Sequence, residues 1–482
     1  MKSRAPRHLY PFWQAALAIL ASLLFMAPAT AFAEDASTSK TLWMASAEVG
    51  IGPIGDDVFL HLTPGVTALR PMPLFRCDGS GDECRVLSRL SLHVPLRLRI
   101  ADGEPETGEV FRREDWHEAS DFFRILRRLE YGTFDDPIHL RAGELHSATL
   151  GQGTIVGGYY NVITTDHYRL GLQADVEEER WGSELLVNDL TNPNLVGLRA
   201  HAKLPYLYDE DHDWRQFTLG ASAVTDFTAP TSLVLDEDQS TAAGPDLRPA
   251  VQQRQATTLA GADLRWRAIG GESGSLTPYV DFNHHFDIGS GIHSGVLWRQ
   301  NIGHDIRLTS RLEYRHLRDR YLPHYFDPLY EVTRYQHPPL DDPDLPGPKL
   351  TAAASAEPST RHGGYGEVQA RIKEDLTLFA AYSDGSGTTP VDLRLRADYE
   401  LRERARVGLF YYRAVHGDLD FGDTMAELFD LDGALGAVEA RATLWRHIYA
   451  HGQFARMWRL HDDGDFESVH LFNIGVGAGA TF

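Results

Sequence analysis

Arginine supplies most of the chemistry that this sequence can perform. Arg97 and Arg99, Arg169, Arg199, Arg265 and Arg267, Arg307 and Arg311, Arg394 and Arg396, and Arg441 all sit where polar and apolar residues alternate. A guanidinium is permanently charged and carries a planar fork of donors, which suits carboxylates, phosphates and other anions. Acids occupy the same alternating positions less often: Asp175, Glu177, Asp263, Glu313, Glu367, Asp392, Asp398 and Glu439. Two chemistries follow. Unpaired arginines would attract anions, whereas arginines standing opposite those acids would brace neighbouring strands.

Other combinations are weaker. Ile292-His293-Ser294-Gly295 sets an imidazole beside a hydroxyl and faintly resembles outer-membrane phospholipases. Neighbours on a strand face opposite sides, and no matching Asn or acid is evident, so no catalytic residue is assigned. His284-His285 and the 22 histidines overall show no ligand spacing on one face. No metal and no cofactor are expected. Cys77 and Cys84, in CDGSGDEC, form one local disulfide in an oxidising compartment, where it would contribute roughly 2–3 kcal/mol. Gly151-Gln152-Gly153-Thr154 lacks the following Lys-Ser/Thr of a phosphate loop. With Tyr159, Tyr160 and Asn161 it suits either a loop folded back into a bore or an ordinary surface loop. The stretch LGQGTIVGGYYN is similar to segments of uncharacterised myxobacterial-type barrel proteins, a likeness that implies no activity.

The elements that must carry these residues are strands. Leu90, Leu92, Val94, Leu96, Leu98 and Ile100 alternate with polar residues, as do Tyr168–Val176, Val196–Leu204, Phe217–Phe227, Ala260–Ala268, Ile306–Tyr314, Val391–Leu401 and Val438–Leu444. A sandwich rarely needs so many strands of roughly 10–13 residues. Here the apolar face also carries Tyr168, Trp181, Trp266, Trp298 and Tyr399 near strand ends, as in aromatic girdles at a lipid interface. The last stretch, SVHLFNIGVGAGATF, alternates without a single charge after His470. It resembles the closing strand of Gram-negative outer-membrane β-barrels: Phe482 is the terminal aromatic, Ala480 the apolar residue two before it, and Gly477 the glycine five before it. Gly475 departs from the polar residue of that pattern. The resemblance implies insertion by a barrel-assembly machinery and contact with outer-membrane lipid and lipopolysaccharide.

The N-terminus reads as an export signal. Lys2, Arg4 and Arg7 precede an apolar run, and Ala31-Phe32-Ala33 is a cleavage site. We therefore expect a signal peptide at 1–33, a periplasmic N-terminal segment at 34–56 and a transmembrane barrel at 57–482. Hydrophobic content of 43% and a mean hydropathy of −0.31 fit a barrel with a wet interior. A net charge of −22 argues against nucleic acid as partner.

Short and long turns alternate back from the C-terminus, which predicts an all-β, antiparallel, up-and-down barrel of about 18 strands, with 16 as the alternative. One long periplasmic insert, 101–137, interrupts the series. In it Phe122, Ile125, Leu126 and Leu129 have helical spacing, predicting a short amphipathic helix over 116–131. It would either cap the barrel or bring Arg124, Arg127 and Arg128 to the bore. The functional expectation is a porin-like channel for small hydrophilic solutes with weak anion preference. A non-conducting envelope or anchor barrel, its lumen blocked by 147–166 or 319–362, is the alternative. An outer-membrane lipid-modifying enzyme is the third.

Overall fold

The computed structural model describes residues 41–481 apart from 55–56, 74–84, 102–109, 117–118, 134–135, 163–167, 205–216, 235–248, 272, 336–346, 374, 386–390, 402–403, 416–420, 431–433 and 461–465. The signal segment 1–33, the Cys77–Cys84 pair and Phe482 lie outside the described residues.

The strands are β1 (Leu42–Ile54), β2 (Asp57–Pro73), β3 (Arg85–His93), β4 (Leu96–Ala101), β5 (Leu126–Tyr131), β6 (Ile138–Gly143), β7 (Gly171–Glu177) and β8 (Trp181–Val187). There follow β9 (Leu195–Lys203), β10 (Phe217–Leu233), β11 (Val251–Trp266), β12 (Ile269–Gly271), β13 (Gly274–His285), β14 (Gly289–Ile302) and β15 (Ile306–Asp319). The last are β16 (Ser359–Ile372), β17 (Leu376–Gly385), β18 (Val391–Leu401), β19 (Ala405–Val415), β20 (Leu435–Trp445), β21 (Ile448–Leu460) and β22 (Phe466–Thr481). Two short helices, α1 (Tyr330–Thr333) and α2 (Lys349–Ser355), lie between β15 and β16, and α3 (Phe421–Leu428) follows β19. Among the described residues no helix is long and apolar enough to cross a membrane.

Every pairing between the described strands is antiparallel, and the sheet closes where β1 meets β22, from Met44↔Thr481 to Ile51↔Ile474. Because β3 and β4 both run along β2, and β11 and β12 along β13, the ring has 20 positions rather than the 18 or 16 expected. One added strand is β1, inside the stretch read as a periplasmic segment at 34–56. Its inward positions include Gly50 and Gly52, so the contrast between its faces is faint in sequence.

The other is β5. The helix expected over 116–131 is instead two 3₁₀ turns, Arg113–Trp116 and Ala119–Ile125, followed by a strand. Backbone groups of Leu126–Tyr131 find partners on β3 and β6, which outweighs a helical spacing only about two turns long. A strand at this point reverses the side of everything before it. The described part of the insert, 110–116 and 119–125, therefore lies at the end opposite the termini, and not on the terminus side as expected.

Alternation holds as expected. On β9, Leu198 is 54% exposed on the outside while Arg199 is 1% exposed on the inside. Leu219, Leu264, Leu312, Val368, Leu409 and Ile474 continue an outer apolar belt. Trp181, Trp266 and Trp445 mark its edge near the terminus end, Trp266 stacking on Phe217 at 5.7 Å. An apolar surface of this extent facing outward is what lipid requires.

Candidate functional site: a lumen filled from one end

A ring of this size is too wide for strand side chains alone to fill. Two connections at the end opposite the termini supply the filling: 144–162 after β6 and, after β15, the described residues 320–335 and 347–358. Ala148 bridges Tyr159 within the first, and Val156 bridges Phe326 between the two. His324 N–H donates to the Thr154 carbonyl at 2.9 Å, and Phe326 N–H to that of Ile155 at 3.1 Å. Val156, Tyr159, Tyr321, Tyr325, Phe326 and Tyr330 then bury themselves against Leu195, Val224, Leu259 and Leu317 of the wall. The result is a compact apolar core inside the barrel. Its residues come from the two stretches that the sequence offered as possible blocks.

Polar contacts bolt this core to the wall. Gly151, at φ +57°, donates to Glu184 at 2.7 Å, and a Cβ there would lie 2.6 Å from Arg199. The Gln152 carbonyl accepts from Arg311 at 2.5 Å, and the Thr154 hydroxyl donates to Asp281. Asn161 accepts from the Leu145 N–H at 2.7 Å and donates to the carbonyls of Arg169 and Asn188. From the second segment, Arg334 pairs with Asp226 at 3.0 Å, and Tyr330 donates to the same carboxylate at 2.6 Å. Lys349 holds Asp327 at 2.6 Å. His324 sits between Arg315 and Arg394. Burial, and then those two guanidiniums, hold its imidazole pKa well below the usual value.

The arginines separate into two groups. Arg97 is buried with Asp115, Arg99 pairs with Asp57, and Arg169 with Glu331 beneath the loop. Arg199 bridges Glu184 and Asp263, Arg311 holds Glu367, Arg394 holds Asp392, and Arg396 holds Asp398 while donating to Tyr160. These brace strands and segments. Arg124, Arg127 and Arg128 do likewise, with Asp115, Glu144 and Glu130.

Nearer the termini the pattern changes. Arg307 stands directly opposite Arg371 on the inner face, and Arg406 opposite Arg441, with no ion pair recorded for any of the four among the described residues. Arg441 lies over the Tyr449 ring at 3.5 Å. Arg265 faces inward beside Tyr279, and Arg267 is exposed just past the end of β11. Arg406 went unread because the short β18–β19 turn left its strand boundary undefined.

The remaining sequence candidates are also placed. His293 is buried inside against Glu313 at 2.9 Å while Ser294 faces outward, so the two share no site. Among the described residues no group of three or more His, Cys, Asp or Glu gathers as a metal cluster. Gly477 and Ala480 lie in β22, Gly477 under the Tyr449 ring and Ala480 opposite Ala45.

No family model and no curated protein matches the chain. Solved structures do. The crystal structure of Pseudomonas aeruginosa OccK11 (OpdR) is 10% identical, covers 92% of this chain and 96% of its own, and has a TM-score of 0.35. Acinetobacter baumannii OccAB2 is 10% identical, with 92% and 98% covered and a TM-score of 0.36. A BenF-like porin from Pseudomonas fluorescens Pf-5 is 8% identical, with 92% and 99% covered and a TM-score of 0.34. With a sheet joined to itself, an apolar outside and a polar inside, the chain is a closed antiparallel β-barrel with a lipid-facing exterior, the architecture of outer-membrane barrels.

Proposed function

We propose that the protein is a restricted channel for small hydrophilic solutes in a bacterial outer membrane, with a preference for anions. The observation that carries the reading is the Arg307–Arg371 pair: two like charges directly opposite each other, inward and exposed to the lumen, without a carboxylate recorded against either. Like charges at such positions destabilise a sheet, and a passing anion is what relieves them. Arg406 and Arg441 also stand opposite each other on β19 and β20, with Glu400 of β18 facing Arg406 from its other side. In this orientation the termini and these four arginines face the periplasm, and the filled end faces outward. Reversal potentials in planar bilayers under a salt gradient test it. Anion preference is expected, and cation preference in the wild-type barrel refutes it.

A second reading rests on the apolar core. If the two infolded segments leave no continuous path, the barrel is an envelope or anchor component. A folded barrel that inserts without any conductance step supports that reading against the first.

A further inference from the structure

On the lipid-facing side, at the filled end, the belt of aliphatic residues gives way to a patch of another kind. Outward positions near this end of β13, β15 and β16 hold His284, Arg318, His316 and His362. His284, Ser290, Arg318 and Thr360 form one row across β13 to β16. Phe282, Ile292, His316 and His362 form the row below it. At the opposite edge of the belt, β14 presents Trp298 instead. The two edges thus carry different chemistry.

The groups of this patch converge. His316 and His362 stand directly opposite each other, their Nδ1 atoms 3.4 Å apart and their ring centroids 4.9 Å apart. The Tyr314 hydroxyl meets the same His362 Nδ1 at 2.6 Å. Arg318 is the next outward residue along β15, about 7 Å further on. It is exposed, flanked by the neutral Ser290 and Thr360, and in no ion pair recorded among the described residues. A guanidinium keeps its charge, and even a neutral imidazole keeps one N–H. The patch therefore offers donors to an anion whatever the charge of its histidines.

Directly beneath, the surface is notched. Gly364 and Gly366 are the next outward residues of β16; a Cβ on Gly364 would meet nothing within 4 Å, and one on Gly366 only Leu312 at 3.5 Å. Gly364 is flanked by Tyr314 on one side and by the exposed carboxylate of Asp384 on the other. Gly366 lies between Leu312, 66% exposed, and Tyr382, with Val368 next along the strand. From the rim towards mid-membrane the order is cation, then carboxylate beside an aromatic ring, then apolar floor. A phosphate suits the first and an acyl chain the last. Between them Asp384 repels a second phosphate and accepts hydroxyl donors, which a sugar supplies in number.

We propose that this patch binds a phosphorylated glycolipid of the outer leaflet. Arg318, His316 and His362 hold its phosphate, Asp384 its sugar hydroxyls, and the Gly364–Gly366 notch the start of an acyl chain. The site depends on the orientation proposed above, with the filled end outward, and not on conduction. The test is lipid retention by the refolded barrel in detergent, read by native mass spectrometry. The probes are bisphosphorylated lipid A, dephosphorylated lipid A, phosphatidylglycerol and phosphatidylethanolamine. Lipid A is expected to be retained about tenfold more strongly than each of the others. The double variant Arg318→Gln, His362→Gln should lose about tenfold for lipid A. Gly364→Leu, which fills the notch and keeps every charge, should weaken retention as well. Any of the other three lipids retained as strongly as lipid A overturns the proposal, as does undiminished lipid A retention in either variant. Should the double variant fail to fold by heat-modifiable gel mobility, Gly364→Leu alone decides. Conductance is recorded in parallel: a wild-type barrel that retains lipid A without conducting supports this site and refutes the channel.

Discussion

Tyr449 lies across the bare backbone of Gly477, its ring carbons 2.3 Å from the position a Cβ would take. The two stand opposite each other on the inner face of β21 and β22, and Tyr449 also donates to Glu48 on β1 at 2.7 Å. Tyr279 covers Gly295 in the same manner. A side chain at Gly477 must displace the ring and with it the contact to β1. Gly477→Val is expected to cost about 1–3 kcal/mol, read as a lower urea midpoint for the loss of heat-modifiable mobility. An unchanged midpoint would show that the ring moves aside freely.

Asp226 is the anchor of the second infolded segment, 0% exposed and bonded to both Arg334 and Tyr330. Asp226→Ala leaves the Arg334 cation buried without its carboxylate, a change on the order of 3–5 kcal/mol against the packed arrangement. The segment should release before the barrel opens. Faster protease cleavage within 320–358, together with larger conductance in bilayers, is the expected outcome.

His324 gives the filling a pH dependence. Burial beside Arg315 and Arg394 lowers its pKa in the packed state, so the released state binds the proton more readily. The stabilisation from a neutral His324 is complete above the ordinary imidazole range near pH 6.5 and declines as pH falls below it. Acidification should therefore raise the open probability or the protease sensitivity of 320–358. His324→Gln, which stays neutral, should flatten that response.

Arg307 and Arg371 set the selectivity in the proposed channel. Reversing both to Glu should move the reversal potential towards the cation side and leave gel mobility unchanged, because no ion pair is lost. Reversing only Arg199, by contrast, breaks contacts to Glu184 and Asp263 and should act on stability instead.

Most of the wall was legible because each strand has to separate lipid from polar interior, which writes alternation into the sequence, as on β9 with Leu198 and Arg199. β1 was missed where small residues blunt that contrast at Gly50 and Gly52. Leu126–Tyr131 misled for another reason. Phe122, Ile125, Leu126 and Leu129 satisfy a helical spacing, yet the hydrogen-bonding demands of β3 and β6 decide the outcome, and those demands come from residues distant in sequence. Arg199 and Arg311 face inward, but alternation does not tell a braced guanidinium from a free one. That depends on cross-strand register, which sets Arg307 against Arg371 and Arg199 against Asp263.

Met44 meets Thr481 across the seam. The first strand thus has to wait, with one margin unsatisfied, until the ribosome has finished almost the entire polypeptide. An intermediate with open sheet edges is built into such a topology, and trimming either seam strand should cause far more misassembly than deleting an equal length from any surface connection.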